Sequence, residues 1–152
     1  MNNFIYDIPT KVYFGQGQIV HLPELIQTCG SRVLLVYGGG SVKKTGLYDT
    51  ITHLLRENGI EWQELSGVQS NPKIGSVREG VRLVREHQLD CVLAVGGGST
   101  LDIAKFLSAA IKEAKPAEVI KKEGFQKKAK IDSMMYRACY IRRRYFIPII
   151  LY

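Results

Sequence analysis

Cysteine is scarce in this sequence. The three present, Cys29, Cys91 and Cys139, lie far apart, and no CxxC pair occurs. An odd, scattered set excludes a disulfide framework, and the lack of paired thiolates argues against a structural zinc site. Histidine is equally thin, with His21, His53 and His87 and none beyond. No run of eighteen apolar residues exists, so no spanning helix is encoded. Met1 to Asp7 lacks the basic start and apolar stretch of a secretory leader. These absences predict a cytoplasmic chain with no membrane partner. Acidic residues are outnumbered, 14 against 21 Lys and Arg, for a net charge of +7. The deficit is local. Residues 1–110 carry ten charges of each sign, whereas residues 111–152 carry eleven basic against four acidic. That describes a basic extension rather than a basic fold surface, and with no nucleic-acid motif present, no nucleic-acid partner is expected.

What the chain does have is glycine in clusters. The segment CVLAVGGGSTLDIAK, Cys91 to Lys105, places five apolar residues before Gly96, Gly97 and Gly98. Such a run suits a strand buried on both faces. Ser99 then stands where a helix N-cap is expected, ahead of Leu101, Ile103, Ala104, Phe106 and Leu107. Strand, glycine turn and helix together present free N–H groups and the positive end of a helix dipole, the ingredients of a phosphate site. The same ingredients also make a bare strand-to-helix turn. The G-x-G-x-x-G fingerprint is incomplete, because Leu101 occupies the third glycine position, and no Walker A sequence occurs. Asp102, three residues after Ser99, reads either as half of a capping box or as a polar group facing ligand hydroxyls.

Taken in order, Phe4–Ile8 and Lys11–Phe14 predict a small N-terminal hairpin or edge ladder. Ile19, Leu22, Leu25 and Ile26 fall at helical spacing, with Gly30 as the stop. Arg32–Tyr37 reads as a buried strand, followed at once by Gly38, Gly39, Gly40 and Ser41. The next helix is expected only after Val42–Gly46, marked by Leu47, Ile51, Leu54 and Leu55. Ile60–Leu65 reads as a strand, Ser66–Pro72 as loop, and Ile74 to His87 as a helix. Strands and helices alternate at about thirty residues, which fits βαβ units with parallel pairing. Both GGGS sequences follow strands directly and so share the carboxyl rim of one sheet, where ligands of open α/β sheets bind.

GGGSTLDIAK resembles the GGGS-x-x-D-x-A-K signature of the iron-containing alcohol dehydrogenase family. Lys11–Gly17 (KVYFGQG) is similar to that family's opening FGxG element, Tyr37–Tyr48 (YGGGSVKKTGLY) to its first glycine loop, and Asn71-Pro72 to its NP turn. The likeness is strongest to the NADP-dependent butanol dehydrogenase branch and runs from about Phe4 to Ala110. It implies an α/β fold: a Rossmann-like parallel sheet with helices on both faces and a small N-terminal β-hairpin; the C-terminal tail, rich in Lys, Glu and Ala over Lys112–Lys130, reads by its own composition as irregular or weakly helical. It further implies that Gly96, Gly97, Gly98 and Ser99 hold the pyrophosphate of NADP or NAD. Asp102 then lies toward the nicotinamide ribose, and Gly38, Gly39, Gly40 and Ser41 lie at the adenosine end. Ser41 with Lys43 or Lys44 would meet a 2′-phosphate; two lysines in a solvated loop are the plainer reading.

The resemblance divides the chain into a dinucleotide-binding domain, 1–110, and a basic tail, 111–152, unlike the family. The tail holds one of the fifteen glycines and ends in the apolar YFIPIILY. Its abrupt change of composition suggests truncation with an altered reading frame. In the family, iron or another divalent metal is held by one Asp and three His of a second domain. None of the three histidines here matches those positions, so surface roles are expected for them and no metal is expected to bind this chain. The implied activity is oxidoreduction of a small alcohol or aldehyde. A catalytically inactive nucleotide-binding module is the alternative; the oligomeric state is open, with an N-terminal edge able to pair two chains into a homodimer.

Overall fold

The computed structural model describes residues 11–13, 16–69, 74–112, 138–141 and 150–151. A two-residue strand, β1 (Lys11–Val12), leads to a 3-10 turn at Gln18–His21 and helix α1 (Leu22–Gln27). Strand β2 (Arg32–Gly38) follows, then a single helical turn, α2 (Ser41–Lys44), and helix α3 (Leu47–Glu57). Strand β3 (Glu61–Val68), helix α4 (Ile74–Glu86), strand β4 (Cys91–Val95) and helix α5 (Gly98–Lys112) complete the alternation. Two short strands, β5 (Ala138–Ile141) and β6 (Ile150–Leu151), come last.

The main sheet is parallel, in the order β3-β2-β4-β5. Val33 to Tyr37 and all of β4 are buried, so the two central strands are covered on both faces. Alternation along β2 sorts the side chains. Val33, Leu35 and Tyr37 join Leu22, Ile26, Ile51 and Leu55 in one core, which packs α1 and α3 against the sheet. Leu34 and Val36 join Val77, Val81, Ile103 and Leu107 in a second core under α4 and α5. Each such side chain contributes about 1.5–3 kcal/mol by leaving water. The second core closes unusually tightly at Gly80 of α4: a Cβ there would stand 2.4 Å from Leu107 Cδ2 and 3.1 Å from Leu65 Cδ2. At the amino ends of the strands, Asp90 accepts from the Ser31 and Arg32 backbone N–H groups, both at 3.2 Å, and pairs with the Arg32 guanidinium at 3.1 Å. Burial alone would raise the Asp90 pKa, but these bonds hold it below the usual value. They pin β2 to β4 at the end opposite the glycine turns.

The expected parallel sheet with helices on both faces is present, and several boundaries differ from the sequence reading. β3 continues through Val68, so Ser66 to Val68 is strand and not loop. β3 is also partly exposed rather than apolar throughout, as befits an edge. The tail was expected to be irregular or weakly helical. Its first two residues end α5, and where it is described beyond them it supplies strands: β5 extends the sheet beside β4, and β6 pairs antiparallel with β1. The proposed hairpin partner of Lys11, Phe4–Ile8, lies outside the described residues, as do Phe14-Gly15 of the FGxG element, the Asn71-Pro72 turn and most of the tail.

Candidate functional site: two glycine turns on one rim

β2 and β4 are neighbours in parallel register, with Val36 opposite Ala94 and Tyr37 opposite Val95. Gly38 and Gly96 therefore leave the sheet side by side. The chain builds outward from β2 to β3, then returns to place β4 on the other flank. The connecting helices accordingly fall on opposite faces, α3 on one and α4 and α5 on the other. That reversal makes the carboxyl ends of β2 and β4 a topological switch point, the place where open α/β sheets form a ligand crevice.

The six glycines divide by function. Gly38 and Gly96 are packing glycines. A Cβ on Gly38 would touch Val68 O at 3.4 Å, and one on Gly96 would lie 2.7 Å from Thr100 Oγ1. Gly96 also has φ +154, which side-chain-bearing residues rarely adopt. By contrast, a Cβ on Gly39, Gly40, Gly97 or Gly98 would meet nothing within 4 Å. Those four leave the backbone of both turns open.

Helix α5 opens on the second of these turns, but not where the sequence suggested. Thr100 N–H and Leu101 N–H donate to Gly97 O at 3.1 and 3.2 Å, so Gly97 takes the cap position and the helix starts at Gly98. Ser99 is thus inside the first turn rather than the N-cap. Asp102, exposed, sits beyond the first turn and does not complete a capping box. A second correction applies at the first loop. α2 begins directly at Ser41, with Lys44 N–H donating to Gly40 O at 2.9 Å. Its single turn is closed by Thr45, whose hydroxyl bonds back to Ser41 O and Val42 O.

Beneath that loop lies a polar cluster that the sequence reading missed. Glu64 on β3 accepts hydrogen bonds from Tyr37 (2.6 Å), Tyr48 (2.5 Å) and Trp62 Nε1 (3.4 Å). The Lys43 ammonium sits 4.7 Å from the Tyr48 ring centre and 5.6 Å from that of Tyr37. Burial works to raise the Glu64 pKa, yet the donated bonds and the Lys43 charge bring it below the ordinary value. Burial and the Glu64 bond push Tyr37 up to about 12, and the same bond, then burial, takes Tyr48 to about 12. Lys43 thus leans over the two rings, and both it and Lys44 are exposed. A polar Glu64 between Trp62 and Leu65 was the available signal.

The histidines lie apart from the rim. His21 stacks on Tyr13, His53 pairs with Glu57 at 3.3 Å, and His87 is exposed. Among the described residues, no group of three His, Cys, Asp or Glu side chains converges as a metal site. The donor set needed for a catalytic metal does not fit what these residues offer.

The family model for iron-containing alcohol dehydrogenase matches residues 9–136. The chain belongs to that family. The match continues past Ala110, while individual relatives align over shorter stretches. NADH-dependent butanol dehydrogenase A of Clostridium acetobutylicum is 51% identical over 111 residues, which cover 73% of this chain and 28% of that enzyme. The NADPH-dependent aldehyde reductase YqhD of Escherichia coli is 46% identical over 110 residues, 72% of this chain and 28% of the other. Among solved structures, NADH-dependent butanol dehydrogenase A of Thermotoga maritima superimposes with a TM-score of 0.76 at 38% identity, covering 93% of this chain and 35% of its own. The chain thus spans little more than a quarter of the length of these curated family members. No described helix is long and apolar enough to cross a membrane.

Proposed function

We propose that this chain is the NAD(P)-binding portion of a metal-dependent alcohol or aldehyde oxidoreductase of the butanol dehydrogenase kind. The observation that carries the proposal is the pairing of Tyr37 with Val95, which sets two open glycine turns and the start of a fifteen-residue helix on one crevice. Backbone N–H groups there suit a pyrophosphate, with Gly96, Gly97, Gly98 and Ser99 on one side and Gly38, Gly39, Gly40 and Ser41 on the other. Asp102 faces the ribose of the nicotinamide half. Titration of the 152-residue chain with NADH and with NADPH, followed by calorimetry, tests the assignment. Saturable binding supports it, and no heat with either cofactor defeats it.

The names of the relatives include both NADH- and NADPH-dependent enzymes. Ser41, Lys43 and Lys44 stand together on the first loop, both lysines exposed, and discrimination at a 2′-phosphate rests on them. The second reading, a nucleotide-binding module without catalysis, is favoured by the lack of a metal-binding group among the described residues. An assay of butanol oxidation with metal added separates the two. A division at Ala110 into cofactor domain and tail, and pairing of two chains through the N-terminal edge, belong to the same proposal; translating the encoding DNA in its other frames and a sizing measurement test them.

A further inference from the structure

Three polar residues are buried among the described ones: Thr52, Thr100 and Ser108. Two of them satisfy their hydroxyls by bonding back along a helix, Thr52 to Tyr48 O at 3.0 Å and Ser108 to Ala104 O at 2.9 Å. Thr100 makes no such bond to a described residue. It lies in the first turn of α5, and the residue four positions earlier, Gly96, belongs to the turn and not to the helix. Its side chain is 4% exposed and bonds to no described residue. Every fully enclosed side-chain oxygen and nitrogen among the described residues has a partner. The unpartnered Thr100 oxygen is therefore the part of that side chain which reaches solvent. Its position is fixed from two sides, 2.7 Å from where a Cβ of Gly96 would stand and 3.8 Å from where one of Gly38 would stand. The hydroxyl thus lies at the seam between both glycine turns, beside the N–H groups of the α5 start.

We infer that Thr100 is a further ligand-binding residue, donating its O–H to a phosphoryl oxygen of a dinucleotide pyrophosphate lodged between the two turns. The inference rests on the cofactor-binding reading of this rim and deepens it. A hydroxyl that opens only onto this seam, flanked by helix N–H groups and bonded to no other described side chain or carbonyl, gains a protein–ligand partner when an anion enters. The neighbouring glycines leave room for that oxygen to approach both turns at once.

The test is NADH and ADP-ribose binding to three forms of the 152-residue chain: wild type, Thr100→Val and Thr100→Ser. Valine keeps the branched shape without the hydroxyl, and serine keeps the hydroxyl. Thr100→Val is expected to bind both ligands roughly fivefold more weakly, with Tm in the absence of ligand equal to or above that of wild type. Thr100→Ser should remain within about twofold of wild type in affinity. A merely structural threonine would give the opposite pattern, lowered Tm with unchanged affinity, and that result overturns the inference. Gly97→Val serves as the reference for the rim itself. If it weakens binding while Thr100→Val does not, only the role of Thr100 is wrong. If wild type and Gly97→Val bind alike, or wild type binds neither ligand, the cofactor reading fails and the inference falls with it.

Discussion

Glu64→Gln tests whether the cluster beneath the first glycine loop stabilises the fold as its geometry implies. The carboxylate accepts from Tyr37 at 2.6 Å and Tyr48 at 2.5 Å, with Lys43 leaning over both rings. A glutamine is nearly the same size, so no cavity opens. What disappears is charge, and bonds to charged groups contribute about 1.5–3 kcal/mol against about 1 for neutral ones. Two such bonds give an expected loss of about 2 kcal/mol, or a Tm lower by on the order of 8 °C for a chain of this size. The pH dependence has a definite sign. Glu64 has a folded pKa below its ordinary 4.5, so its contribution is present above that value and is lost as pH falls through the folded pKa. Wild type and variant should differ most near neutrality and converge in acid. Tyr37 and Tyr48 act in the other direction: raised from 10.0 to about 12, they contribute stability below pH 10 that disappears as pH rises through 12. Trp62, the single tryptophan, donates to the same carboxylate, so its fluorescence reports the cluster directly during thermal unfolding. A variant whose Tm at pH 7 lies within about 1 °C of wild type, against the shift expected here, would refute the assignment of that stability to Glu64.

Gly97→Val, at a turn position where a Cβ meets open space, should leave the fold intact and weaken NAD(P)H binding at least about tenfold, or about 1.4 kcal/mol, by calorimetry; undiminished affinity would remove this turn from the site. Ser41→Asp should lower the ratio of NADP to NAD affinity, because a carboxylate at the start of α2 repels a 2′-phosphate and offers an acceptor to a free ribose hydroxyl; an unchanged ratio would put discrimination elsewhere. The isolated chain, folded and supplied with iron or zinc, should oxidise no butanol and reduce no butyraldehyde. Turnover on the order of 1 per second or faster would show that a metal site forms without the ligand set expected from the family.

The central strands were legible because burial on both faces leaves an unmistakable run: Cys91–Val95 is strand over the residues expected, and Arg32–Tyr37 is exceeded by one. Helix interiors were legible for the same reason, from the spacing of Val77, Val81 and Val84 or of Ile51 and Leu55. Helix starts were not. Ser99 has the right chemistry for a cap, yet Gly97 can adopt the cap geometry earlier and lets α5 begin two residues sooner than Ser99 would. Strand order was also out of reach. Local periodicity says that β4 is buried but not which flank of β2 it occupies, and only that choice brings the two glycine turns together. Glu64 and its tyrosine donors are separated by 16 and 27 positions, a convergence that the fold creates.

The glycine notch on α4 has a consequence at a distance. Leu107 sits against Gly80, and Leu107 lies nine residues along α5 from its first residue, about 14 Å at 1.5 Å per residue. A helix is stiff over that length, so the notch acts as a seat that sets how high the opposite tip stands above the strands. A methyl group there would meet both Leu107 methyls, so that flexible side chain would have to turn aside or α5 would have to shift and carry its tip with it. The height of the α5 tip above the strands thus depends in part on packing at the far side of the core. Anyone seeking to retune the crevice without touching its lining would begin at Gly80.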